Sequence, residues 1–250
     1  MTTDDSTNDL HAARTEELTG RLAEVRARIT GACGEAGRDP AEVTLVVVTK
    51  FFPASDVRIL TGLGVRDVGE NRHQEAAAKS EELAAEPAGD GLRWHYVGGL
   101  QSNKAAAVTT YAAAVHSLDR AKLVAPLARG ALERGHDLDV LVQVSLDPPG
   151  TDHRAGVAPD GPDGLAALAA RVATTEGLRL RGLMAVAPLD ADPGATFDRL
   201  AGLHTDLLAD HPGATWLSAG MSADLEPAIV RGATHVRVGS AVLGSRPGVH

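Results

Sequence analysis

A chain of 250 residues with 44% hydrophobic and 23% charged residues is globular in composition and large enough to bury a core. Its formal net charge of −9 disfavours a nucleic-acid backbone or an anionic membrane as partner, although a small anion can still be held locally. The single cysteine, Cys33, excludes an intramolecular disulfide and a cysteine metal site, and it reads as a small buried hydrophobe in a helix.

The first residues, "MTTDDSTND", are polar and acidic and lack the basic start and apolar core of a secretory signal. No later segment offers 18 uncharged apolar residues. The expectation is a soluble cytoplasmic protein with a disordered tail over residues 1–9 and one domain over residues 10–250. Between residues 9 and 37, Leu18, Leu22, Val25 and Ile29 recur every three or four positions among charges, which predicts an amphipathic helix. Gly37 and Pro40 mark its end.

Short β-rich runs then alternate with helical ones. Strands are predicted at 44–49, 65–68, 93–97, 113–117, 139–144, 181–186, 215–218 and 235–238. Helices are predicted near 54–63, 72–83, 104–110, 120–134, 163–174, 195–208 and 223–231. Eight strands with helical crossovers give the count of an α/β TIM-type (β/α)8 barrel, here with an extra N-terminal helix. An open doubly wound sheet is the competing architecture. The runs "DPPGTDHRAGVAPDGPDG" and "APLDADPG" are loops that follow strands, which in a barrel puts them at the C-terminal face where active sites are built.

The run "TLVVVTK" ends an apolar strand on Lys50, in a chain with only four lysines against 20 arginines. At the mouth of a barrel, partial desolvation disfavours the ammonium form, and a neutral amine can attack a carbonyl. A strand end in solvent is the plainer reading. At the other end of the chain, "SAGMSADLEPAI" and "RVGSAVLGSR" place Gly220, Met221, Ser222, Gly239, Ser240, Gly244 and Ser245 after strands seven and eight. Small residues and hydroxyls before a helix suit a phosphate, and the loops after these two strands are where barrels hold one. For Ser222, with Glu226 nearby, a helix cap is the alternative. Arg237 alternates with Val236 and Val238 and so takes the opposite face, where it needs either a carboxylate or a bound ligand. A lysine at one end and a phosphate cradle at the other describe a ligand with an aldehyde and a phosphate. Pyridoxal 5'-phosphate (PLP) has that shape, and so does a phosphorylated sugar.

The segments "LVVVTKFFPASDVRIL", "VGENRHQE", "WHYVGGLQSNK", "VHSLD", "LRGLMAVAP", "LSAGMSADLEPAI" and "GATHVRVGSAVLGSR" span residues 43–246. In this order they resemble the pyridoxal phosphate homeostasis proteins, single-domain relatives of the alanine racemase barrel. The resemblance implies PLP held as a Schiff base on Lys50, Arg237 facing the pyridine nitrogen, and the phosphate held by Met221, Ser222, Gly239 and Ser240, with Asn71 near the ring. It implies a role in vitamin B6 balance without strong turnover, and PLP-dependent enzymes as clients. A monomer fits the loss of the racemase's second domain. Three departures from the family pattern stand out: Arg72 where an aromatic is usual, Gly99 where proline is usual, and Arg154 where a lysine is common. A guanidinium stays protonated and does not readily form an imine.

An arginine at the ring nitrogen favours the unprotonated ring and a weak electron sink. Racemisation needs an acid or base on each face, and Lys50 supplies one. Of the two tyrosines, Tyr96 and Tyr111, Tyr96 is expected near the mouth of strand three, where packing is its plainer role, and the same choice is open for His95. The expectation is therefore a carrier of PLP, with a weak amino-acid racemase as the alternative and a lysine-dependent aldolase as the third reading.

Overall fold

The computed structural model describes residues 3–147, 155–188 and 190–245. Its first element is helix α1 (Thr3–Glu35). The helix covers most of the stretch expected as a disordered tail, and no glycine or proline interrupts the sequence before Gly20. The apolar stripe is as predicted: Leu18, Leu22, Val25 and Ile29 are all buried.

Eight strands follow: β1 (Thr44–Val48), β2 (Asp67–Glu70), β3 (Arg93–Tyr96), β4 (Ala112–Leu118), β5 (Leu138–Gln143), β6 (Leu178–Met184), β7 (Trp216–Ser218) and β8 (His235–Val238). Each is parallel to the next, and β8 pairs with β1, so the sheet closes on itself. This closure settles the choice between barrel and open sheet. The crossovers carry α2 (Ala54–Gly62), α3 (His73–Ala84), α4 (Ala105–Val108), α5 (Val124–Arg134), α6 (Leu165–Ala173), α7 (Pro193–Asp210) and α8 (Leu225–Val230), and α9 (Ser240–Leu243) follows β8.

The second strand begins two residues later than its apolar run suggests. Val65 N–H donates to Leu60 O and Gly64 N–H to Thr61 O, so this valine completes the C-terminal cap of α2 instead of entering the ladder. Gly64 takes the positive φ of 84° that such a cap requires.

Alternation sets the layers. Val47, Val236 and Val238 face outward into an apolar layer shared with α1, α2, α8 and α9, while a second layer joins β3–β7 to α4–α7. Three α1-side arginines tie the back of the C-terminal turns. Arg28 makes a forked pair with Glu226 and also bonds Ser222 O at 3.0 Å. Arg14 bonds Asp56 and Leu243 O, and Arg38 bonds Ile229 O and Ala233 O. Among the described residues no helix is long and apolar enough to cross a membrane.

Leu22 is 1% exposed in the α1 stripe. Truncation to alanine is expected to lower unfolding stability by about 2–5 kcal/mol. Denaturant titration of Leu22→Ala against wild type measures it, and an unchanged midpoint would show that α1 is not part of the cooperative unit.

Candidate functional site

The barrel mouth holds a cavity of about 470 Å³. The seven residues that the family resemblance implies as the site line it, Lys50, Asn71, Met221, Ser222, Arg237, Gly239 and Ser240, and so does Gly244, whereas Gly220 and Ser245 do not. Val48, Phe51, Phe52, Val97 and Val186 supply apolar walls. The described lining carries two cationic side chains and no carboxylate, within a chain of net charge −9.

Lys50 follows β1 directly. Val46 and Val48 face the barrel interior opposite Gly69, whose site would bring a Cβ within 3.1–3.2 Å of both, so Thr49 faces outward and Lys50 turns to the mouth. Asn71 follows β2 in the same way. Its Oδ1 is buried without a hydrogen-bond partner, an acceptor left over for a ligand or water. Gly98 packs on this asparagine so closely that a Cβ would fall 2.4 Å from Asn71 Cβ. Arg72, one of the departures, lays its guanidinium 4.7 Å from the Phe51 ring centre. Gly99 O lies 3.5 Å from the Tyr96 hydroxyl, and Arg154 lies outside the described residues.

On the opposite rim, Ser222 Oγ accepts from Ser240 Oγ at 3.2 Å and from Ala241 N–H at 3.3 Å. Its own proton has no acceptor among the described residues, so it can donate to an anion. The cap alternative for Ser222 is overturned: α8 begins after Asp224, and Glu226 is engaged by Arg28. Met221 N–H is committed to Asp224 Oδ1 at 2.6 Å, while its side chain stands exposed at the rim. Gly220, at φ 86°, lets the turn pass Ala228, where a Cβ would meet Ala228 Cβ at 2.8 Å.

Arg237 forms the floor. It is buried, and among the described residues it bonds no carboxylate: Nη1 donates to Ser218 Oγ at 2.7 Å and Nη2 to Ala185 O at 2.9 Å. Burial brings its pKa down to about 10, so it remains a cation at neutral pH. The salt-bridge reading of this residue is therefore incorrect.

Beneath Arg237 runs a polar chain that the sequence did not reveal. Ser218 Oγ lies 2.9 Å from His116 Nδ1, His116 Nε2 lies 2.9 Å from His95 Nδ1, and His95 Nε2 lies 2.8 Å from Asp67 Oδ1. Burial alone would raise the Asp67 carboxyl, but hydrogen bonds from His95 and Arg93 outweigh it and hold it at about 2. A carboxylate only accepts, so His95 Nε2–H donates to it. Burial and the neighbouring His95, His235 and Arg237 charges push His116 well below the usual imidazole range, so it carries one ring proton. The spacing allows every proton to point one way: Arg237 to Ser218, Ser218 to His116, His116 to His95, His95 to Asp67. The reading of His95 as packing is corrected by these bonds.

Residues 21–247 match the family described as alanine racemase, N-terminal domain. A "Pyridoxal phosphate homeostasis protein" of Mycobacterium tuberculosis is 47% identical over 245 residues, covering 93% of this chain and 94% of its own. The protein of that name from Escherichia coli K12 is 35% identical over 233 residues, covering 92% and 97%. The chain belongs to the pyridoxal phosphate homeostasis protein family. Among solved structures, PipY of Synechococcus elongatus with PLP bound superimposes with a TM-score of 0.76 at 34% identity, over 91% of this chain and 100% of that one. The family's racemase-type barrel is thus the fold in which the lysine, the arginine and the serine rim of this chain meet.

Buried imidazoles make this barrel acid-sensitive. Burial, with the His95 charge, lowers His235 from 6.5 to about 3, and His116 is also depressed. The unfolded chain then binds more protons than the folded one below about pH 6.5, so stability falls as pH drops from there toward 3. Unfolding free energy is expected to be flat above about pH 7 and to fall by up to about 2.7 kcal/mol per pH unit for two such groups. Denaturant titrations across pH 4–8 measure the slope, and a flat profile would contradict neutral burial.

Proposed function

We propose that this protein binds PLP as a Schiff base on Lys50 and serves intracellular vitamin B6 homeostasis, storing or delivering the cofactor without strong turnover. The carrying observation is the joining of Lys50, the Ser222–Ser240 rim and the buried Arg237 in one cavity without a lining carboxylate. PLP, when bound, supplies an aldehyde carbon with which the Lys50 amine condenses to a C=N bond, with loss of one water. Ser222 offers a hydroxyl proton to a phosphate, with Ser240 and Gly239 beside it and the Met221 side chain at the rim. Asn71 Oδ1 remains an acceptor beside the ring. The apolar walls suit a flat heteroaromatic ring and exclude water.

Arg237 decides the chemical temper of the site. A guanidinium donates to a ring nitrogen and takes no proton from it, so it does not favour the protonated ring that a strong electron sink needs. Two-face proton transfer also finds little support. Among the described lining residues no tyrosine, histidine, cysteine, aspartate or glutamate stands opposite Lys50. Tyr96, the nearest candidate by sequence, directs its hydroxyl to Asn71 O and Gly99 O at 3.4 and 3.5 Å. These features support a carrier, for which PLP-dependent enzymes are the proposed clients.

The test compares wild type with Lys50→Ala. Purified wild type is expected to show a visible absorption band with PLP that borohydride fixes on Lys50, and the variant to lack it. The loaded protein is expected to restore an apo PLP-dependent enzyme while leaving L-alanine optically unchanged. A band retained by the variant would move the attachment to another lysine, and steady loss of optical rotation would make the protein a racemase.

A further inference from the structure

Only one non-glycine residue among those described has a positive φ, and it is Phe51 at 71°, directly after Lys50. Left-handed backbone at a bulky residue is strained and persists where the surroundings over-determine it. Here both backbone groups flanking Lys50 are gripped by side chains of α3. Phe51 N–H donates to Glu75 Oε1 at 2.6 Å. Thr49 C=O accepts from Lys79 Nζ at 2.9 Å.

The two gripping side chains are themselves joined. Lys79 Nζ donates to the same Glu75 Oε1 at 2.7 Å and to Glu70 Oε1 at 2.7 Å. Thr49 Oγ1 also donates to Glu70 Oε1 at 2.7 Å. An ammonium has three N–H groups, and all three of Lys79's are spent on these acceptors. Lys79 is buried outside the cavity and does not line it. It therefore has no lone pair to offer a carbonyl, and its charge is used to hold backbone.

From this geometry we infer that Lys79 and Glu75 are positioning residues. They clamp the Thr49–Phe51 turn in its left-handed form and so aim Lys50 into the cavity. The clamp deepens the reading of Lys50 as the carbonyl-binding lysine and rests on it for its purpose. It does not act through ligand contact: neither Lys79 nor Glu75 lines the cavity, and the phosphate rim lies on the other side of it.

Glu75→Ala removes the acceptor of Phe51 N–H, whereas Glu75→Gln keeps an oxygen there. In the protein without added ligand, amide hydrogen exchange at Phe51 is expected to speed up in Glu75→Ala and to stay near wild type in Glu75→Gln. With PLP added, borohydride-trapped C=N formation on Lys50 is expected to slow by about tenfold to a hundredfold in Glu75→Ala, the range that small misplacement of a reacting group brings. Glu75→Gln is expected to stay close to the wild-type rate. In a Lys50→Ala background, Glu75→Ala is expected to leave non-covalent PLP retention in equilibrium dialysis unchanged, which a general collapse of the site would not. Lys79→Met is expected to behave as Glu75→Ala. Should it fail to fold, the glutamate variants on the partly exposed face of α3 decide. A Glu75→Ala protein that traps Lys50 at the wild-type rate, or protects Phe51 as well as wild type, would overturn the clamp. A wild type that never traps Lys50 would overturn the cofactor reading instead, with the exchange result still judging the clamp.

Discussion

A guanidinium sealed inside a β-barrel must be given acceptors, and the interior of this protein is arranged around that demand. Arg237 comes from the last strand, and among the described residues no carboxylate bonds it. A carboxylate partner would neutralise the floor of the cavity. Neutral acceptors take two of its N–H groups and leave the positive charge in place. The Ser218 hydroxyl has a proton of its own to place, and the polar chain runs from it through His116 and His95 to Asp67. The carboxylate that ends the chain lies at the start of β2, away from the mouth, where Arg93 also holds it. The interior of this barrel is therefore rich in polar groups, with His235 beside the two histidines of the chain and Asp139 pairing with Arg179 and Arg181, unlike the branched aliphatic layers that fill most such barrels.

The same economy of charge explains the unequal use of arginine and lysine. Arginine forks reach two carbonyls at once: Arg38 joins Ile229 and Ala233, and Arg134 joins Thr109 and Ala112. Such contacts satisfy loop carbonyls that the ladder leaves over. They also let α1 hold the turns after β7 and β8 from behind, through Arg28 on Ser222 O and Arg14 on Leu243 O. The serine rim is thus positioned by a helix that precedes the barrel. The shape of the cavity depends on packing well outside its lining.

What could be read from the sequence followed from periodicity and local chemistry. Alternation in "TLVVVTK" and "HVRV" placed Lys50 at the mouth and Arg237 inside, and both are where the pattern put them. The serine-glycine turns after strands seven and eight were legible because small residues before a helix have few other uses. The histidine chain was not legible. His95 and His116 sit on the neighbouring strands β3 and β4, but Ser218 comes from β7, and only closure of the sheet brings it within hydrogen-bond reach of them. Lys79 and Glu75 were equally hidden, since a lysine four residues after a glutamate on a helix reads as an ordinary surface pair. The signal that could have exposed them is that Lys79 falls on the apolar side of α3, with Ala76 and Leu83.

Lys50 and Lys79 show how one fold separates two uses of the same side chain. Both amines lie within a few residues of the end of β1 in space. One is buried outside the barrel wall among two carboxylates and a carbonyl, where every N–H is matched. The other turns inward, to a cavity whose described lining has no carboxylate and whose floor is already cationic. The division of labour begins with alternation: Thr49 points out to the clamp, and the next residue turns in. A one-residue slip of β1 would exchange the two faces, placing a hydroxyl in the cavity and an amine among the carboxylates.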